Sequence, residues 1–175
     1  MSDVAKKYVK ALASTMDDKT LQSVYESLSA LVPAFKSKKF IAIVQGTDID
    51  KAAKAKFLID TVGAKDKKFE NFLRLLAEKG RIGLIPQIVQ ELGSVIEQRT
   101  NTYHGRLISA EKVKSEAIKE LEEVLSKKLG ATIKLDNVVT DTSGMKVEVE
   151  NLGVEIGIST DRIKQQITQT ILSAI

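Results

Sequence analysis

The stretch Lys68–Arg99, KFENFLRLLAEKGRIGLIPQIVQELGSVIEQR, decides the fold. Its first half sets Phe69, Phe72, Leu73 and Leu76 at i, i+3, i+4 and i+7, which lines one face of a helix. Leu75 falls off that stripe, so this helix is apolar on more than one side. Gly80 takes a left-handed backbone without a Cβ clash and ends it. A second helix follows, with Ile85, Ile88, Val89, Leu92 and Ile96 on one face. Pro86 fits only in its first turn, where a missing N–H costs nothing. The stretch therefore reads as a helical hairpin turning at Gly80-Arg-Ile-Gly83.

Upstream the pattern stays helical. Val4, Tyr8, Ala11 and Leu12 form one stripe, and Ala5 and Val9 widen it towards a second face. Asp17 or Asp18 is placed to cap a helix built on Leu21, Val24, Tyr25, Leu28, Leu31 and Val32, which Pro33 ends or kinks. Phe40, Ile41 and Val44 make a short helix closed by Gly46. Thr47 or Asp48 is the expected cap of a fourth helix running through Ile49, Ala53 and Phe57 to Gly63. Short amphipathic helices on short loops must bury their stripes against one another. The chain is thus expected to open with a six-helix bundle over residues 1–104.

Downstream the period changes. Tyr103–Ile108 reads as a strand, and Ser109 as the cap of a helix over Lys112–Leu129 that Gly130 ends. Ile133 and Leu135 alternate with polar residues, as a half-buried strand requires. Met145–Val149 and Val154–Ile158 alternate about the turn Asn151–Gly153, the pattern of a β-hairpin. Ser159 or Thr160 is placed to cap a last helix with a seam of Ile163, Ile167, Ile171 and Ile175. Residues 105–175 therefore form a small α/β (α+β) domain, and the whole chain is mainly α. A unit of this size is marginal alone and calls for docking to the bundle or to a partner.

Composition narrows the chemistry. The 175 residues include no cysteine, which removes disulfides, thiolate catalysis and Cys-based metal sites. No apolar run approaches the about 20 residues that span a bilayer. The N-terminus lacks a signal-type apolar core. His104 is the one histidine and has no nameable catalytic partner, so it reads as a linker or strand-face residue. The glycines make no phosphate loop, because no Gly-Lys-Ser/Thr element occurs. Asp48/Asp50 fit helix capping, and Glu122/Glu123 fit a solvated face. No cofactor, metal or small-molecule site is expected, and no enzyme active site.

Two features suggest macromolecular partners. Lysines cluster at Lys36/Lys38/Lys39, Lys54/Lys56 and Lys65/Lys67/Lys68. They read as solvated helix ends, with RNA contact as the sharper alternative; they lack interleaved aromatics and lie in separate loops. The second feature is surplus apolar surface on the first and fifth helices, in Tyr8, Ala11, Leu12 and Leu75. Either those helices are buried on two sides, or the groove between them receives an amphipathic partner helix.

The run Asn71-Phe72-Leu73-Arg74-Leu75-Leu76-Ala77-Glu78-Lys79-Gly80-Arg81, followed by Leu84 and Ile88, resembles the delta subunit of bacterial F-type ATP synthases and its mitochondrial counterpart, the oligomycin-sensitivity-conferring protein. Tyr8-Val9-Lys10-Ala11-Leu12, Arg106–Ala110 and Lys127–Leu135 are similar to further segments of that family in the same order. Ser143-Gly144 stands where the family usually has Gly-Gly, and Val149-Glu150-Asn151 where it has Ile-Gly-Asp. The resemblance implies a non-catalytic peripheral-stalk subunit on the cytoplasmic face of the bacterial inner membrane. The bundle would hold the N-terminal helix of an alpha subunit, with Tyr8, Ala11, Leu12 and Leu75 lining the groove. The second domain would hold the C-terminal ends of b-type subunits, with Ile163, Ile167 and Ile171 as contacts. No nucleic acid would be involved.

Overall fold

The computed structural model describes residues 3–142 and 144–158. It forms two compact units, Met1–Ile96 and Glu97–Ile175, each with its own apolar core. The division falls ahead of the expected 104/105 boundary, and the strand beginning at Thr102 lies wholly in the second unit.

Six α-helices build the first unit: α1 (Asp3–Thr15), α2 (Asp18–Leu31), α3 (Lys38–Gln45), α4 (Lys51–Val62), α5 (Lys67–Glu78) and α6 (Ile85–Thr100), the last running on past Ile96. Asp17 caps α2 by accepting from the Thr20 N–H at 2.8 Å. Pro33 opens a 3-10 turn, Val32–Lys36, that continues from α2 rather than simply ending it. Asp66 caps α5, accepting from Lys68 N at 2.9 Å and Phe69 N at 3.1 Å. The expected cap of α4 is displaced. Thr47 bonds to Asp48, Ile49 stays outside the helix, and Asp50 takes the cap position without a side-chain bond.

The hairpin of α5 and α6 forms as its residues dictate. Gly80 has φ +65°, and Arg81 N donates to Leu76 O at 2.7 Å while Gly80 N donates to Ala77 O at 3.1 Å. That pair of bonds closes the helix and satisfies carbonyls that its end would leave free. Phe69, Phe72, Leu73, Leu76 and Ala77 are buried, and across the bundle they join Leu21, Leu28, Leu58, Ile85, Ile88 and Leu92.

On α1 the core-facing stripe differs from the leading expectation. Ala5, Val9, Leu12 and Ala13 are buried, Val4 and Tyr8 are half-buried, and Ala11 is exposed. Two overlapping i, i+4 stripes compete on this helix. The stripe with the small Ala5 and Ala13 lets neighbouring helices come close, and it turns inward.

The described residues of the second unit form a four-stranded sheet in the order β2-β1-β3-β4, with β1 at Thr102–Ser109, β2 at Thr132–Val139, β3 at Met145–Val149 and β4 at Val154–Ile158. β1 and β2 are parallel and joined by helix α7 (Ser115–Leu129); β3 is antiparallel to both β1 and β4. A parallel neighbour requires such a crossover, whereas β3 and β4 need only a tight turn. Tyr103, Leu107, Ile133, Leu135, Val147 and Val149 form the buried face with Leu125 of α7. Gly105 lies in the central strand where no side chain fits. A Cβ there would stand 2.7 Å from Glu148 O and 2.9 Å from Val149 Cγ2.

Ser109 does not cap α7. It ends β1 buried, its Oγ donating to Glu111 O at 2.7 Å, and α7 starts only at Ser115. Asn137 organises the intervening turn. It donates to Leu107 O at 3.0 Å and Ser109 Oγ at 2.8 Å, and accepts from Val113 N at 2.8 Å. The expected helix with Ile163, Ile167, Ile171 and Ile175 lies outside the described residues.

Candidate partner-binding face

Helices α1 and α5 run antiparallel, held by three contacts. The Tyr8 and Phe72 rings meet edge to face with centroids 6.0 Å apart. Arg81, just beyond α5, donates from Nη1 to Tyr8 Oη at 3.1 Å, with its guanidinium carbon 5.7 Å from the ring centroid. At the other end Lys68 Nζ donates to Thr15 O at 2.6 Å. That bond places an ammonium on the last carbonyls of α1, where the helix dipole is negative.

The expected groove residues do not all lie on this face. Leu75 is 40% exposed, the one large apolar side chain so exposed among the described residues of this unit, and Ala11 is exposed too. Tyr8 is half-buried against Phe72. Leu12 is only 4% exposed and belongs to the core, which corrects its assignment to the groove. The face also carries Arg81 and Lys68, to which the sequence reading gave no place in the groove; Lys68 was read as part of a solvated helix end. Their signal was weak, because Arg81 touches Tyr8 in space but stands 73 residues from it in sequence. Ile163, Ile167 and Ile171, the other expected contacts, lie outside the described residues.

Elsewhere the unit offers less. A cavity of about 740 Å³ opens on the other flank of α5, between it and α4, over a floor of Ala52, Ala55 and Ile59. Its rim mixes Lys51, Lys56 and Arg74 with Asp50, Asp60 and Glu78, so it favours no one class of ligand. Among the described residues no group of three or more His, Asp or Glu is placed to hold a metal. His104 is exposed on β1 and pairs through Nδ1 with Glu97 Oε1 at 3.0 Å.

The sheet carries its charges in a paired ladder. Lys146 Nζ meets Glu148 and Glu155, each at 2.7 Å, and Arg106 meets Glu148 at 3.0 Å and Glu150. The hydrogen bond from Lys146 holds the Glu148 carboxyl below its ordinary range; Glu148, then Glu155, hold the Lys146 ammonium above its own. Glu122 is not part of a solvated face as expected. Its Oε1 accepts from Leu135 N at 2.8 Å, and Ser126 Oγ accepts from Ile133 N at 2.9 Å. Side chains of α7 thus satisfy the free edge of β2.

The family described as ATP synthase delta (OSCP) subunit matches residues 4–167. Proteins named ATP synthase subunit delta are similar over 98% of both chains, with 41% identity in Campylobacter concisus, 37% in Campylobacter jejuni and 33% in Aliarcobacter butzleri. A chain of the Toxoplasma gondii mitochondrial ATP synthase hexamer shares the fold, with a TM-score of 0.67 at 17% identity and 98% coverage of each chain.

Proposed function

Because the chain belongs to the ATP synthase delta (OSCP) subunit family, we propose that its helical unit receives the N-terminal helix of an alpha subunit on the α1–α5 face. It is a non-catalytic subunit of the peripheral stalk of the F-type ATP synthase, with no active site of its own. The work of such a stator is mechanical: the catalytic head must not turn with the rotor, so the link has to carry load across interfaces.

The observation that carries this reading is the exposure of Leu75 on α5 together with the half-burial of Tyr8 on α1, on two helices bridged by side chains. An amphipathic helix laid over them would remove that apolar surface from water. The second unit, in this reading, binds the C-terminal ends of b-type subunits, with Ile163, Ile167 and Ile171 as contacts. Among the described residues no helix is long and apolar enough to cross a membrane. The subunit is peripheral to a membrane complex, and we place it on the cytoplasmic face of the bacterial inner membrane. The RNA-binding alternative finds no support in the relatives.

The test is direct. Tyr8→Ala combined with Leu75→Ala should weaken binding of an alpha N-terminal peptide by about 2–4 kcal/mol, the scale of losing an aromatic and a leucine anchor. The bundle should stay folded, with a melting temperature lowered by the loss of the Tyr8 contacts to Phe72 and Arg81. Unaltered affinity would remove α1–α5 as the docking face.

A further inference from the structure

We propose that the α1–α5 face selects a helix bearing two carboxylates about two turns apart along one face, one for Arg81 and one for Lys68. The proposal rests on the docking face argued above and adds a charge code to it.

Arg81 and Lys68 mark the two ends of the face. Arg81 reaches Tyr8 and Lys68 reaches Thr15, so the cations are tied to points seven residues apart on α1. At 1.5 Å per residue that is about 10.5 Å, the spacing of positions i and i+7 on a partner helix lying alongside. Among the described residues, Arg81 bonds the uncharged Tyr8 phenol and makes no ion pair. Lys68 bonds the Thr15 carbonyl and lies within electrostatic reach of Asp17, whose carboxylate is already engaged in capping α2.

The surroundings add positive charge. Lys7, Lys10 and Lys79 are exposed on the same two helices or just beyond them. The acidic residues of α5 are engaged or turned elsewhere: Glu70 pairs with Arg74, and Glu78 lines the cavity on the α4 flank.

A wholly apolar partner would be penalised here. Covering Arg81 would strip water from a guanidinium with no counter-charge, and an unpaired buried charge costs more than the contact returns. A carboxylate from the partner reverses that sign. Nη1 is occupied by Tyr8, which leaves Nη2 and Nε to donate to the incoming oxygens. A helix lacking acidic residues at this spacing is thereby rejected, which is specificity by mismatch.

The test uses the full-length chain, fluorescently labelled, titrated with the ATP synthase head stripped of this subunit. Affinities are read at low and high salt. Arg81→Gln with Lys68→Gln should weaken binding roughly tenfold at low ionic strength and flatten its salt dependence. Arg81→Lys should recover most of the loss, because it restores the charge. Wild-type affinity and salt slope in the double Gln variant would overturn the charge code. So would Arg81→Lys binding as weakly as Arg81→Gln, which would make Arg81 a positioning residue for Tyr8. Tyr8→Ala with Leu75→Ala, run in parallel, separates the two claims. If it abolishes binding while the Gln variants are silent, the docking face stands and the charge code falls. If all variants bind as the parent does, both fall.

Discussion

The charged surface of the sheet and the α1–α5 face of the bundle are built to opposite rules. On the sheet, Arg106, Glu148, Lys146 and Glu155 neutralise one another across three strands, and α7 closes the edge of β2 with Glu122 and Ser126. On the bundle, a leucine stays exposed, Arg81 rests on the uncharged Tyr8 phenol, and Lys68 bonds a backbone carbonyl with Asp17 nearby. A surface whose polar groups already satisfy one another gains little from a partner. A surface with an exposed leucine and a guanidinium that lacks a carboxylate gains from being covered by a partner that supplies one. The contrast is the reason the α1–α5 face is proposed for binding.

The largest effect that can sharpen this contrast lies within one helix. Leu73 is fully buried and Leu75 is 40% exposed. Leu73→Ala should cost about 3 kcal/mol of stability by denaturant unfolding, from lost transfer energy and the cavity left behind. Leu75→Ala should leave stability within about 0.5 kcal/mol, so its effect appears in binding alone. Equal losses for the two would mean that Leu75 is core after all.

In the sheet, Gly105→Ala forces a Cβ against Glu148 O and Val149 Cγ2. A cost of about 1–3 kcal/mol is expected from overpacking, read as a lower melting temperature. Hydrogen exchange should report it at β1 and β3 while α1 to α5 keep their protection. A smaller loss, about 1–2 kcal/mol, is expected for Glu122→Ala, which strands the Leu135 N–H at the sheet edge. Faster exchange at that amide and concentration-dependent association would mark an opened edge.

The smallest effect is in the exposed ladder. Glu148 is held below its ordinary pKa, so its contribution is present above pH 4.5 and disappears as pH falls through the lowered value. Lys146 is held above 10.5, so its contribution is present below that pH and disappears as pH rises through the raised value. Between these limits the melting temperature should be flat with respect to this pair. Lys146→Met should make the acid limb shallower. An unchanged acid limb would show that solvent screens the ladder to insignificance.

Much of the fold was legible beforehand because period and punctuation are local. The α5–α6 hairpin, the ending of α5 at Gly80 and the β3–β4 alternation follow from spacings within a dozen residues. The caps were less so. Asp17 does bond a free N–H group of its helix, whereas Thr47 and Ser109 bond elsewhere, and Asp66, which the sequence did not single out, caps α5. Ser, Thr and Asp have several backbone partners within reach, and the surrounding turn chooses among them. The candidate face was half legible. Leu75 stood out as an apolar residue off the stripe, but Arg81 needed Tyr8, which is distant in the chain.

From its residues alone, this protein was bound to form amphipathic helices followed by alternating strands, since side-chain periodicity and glycine placement act over a few positions. Tertiary packing alone decided that Ala5, Val9, Leu12 and Ala13 face inward while Tyr8 and Ala11 look out. Periodicity sets the angle between two stripes on a helix, but which stripe is buried depends on the shapes of the neighbours that close around it.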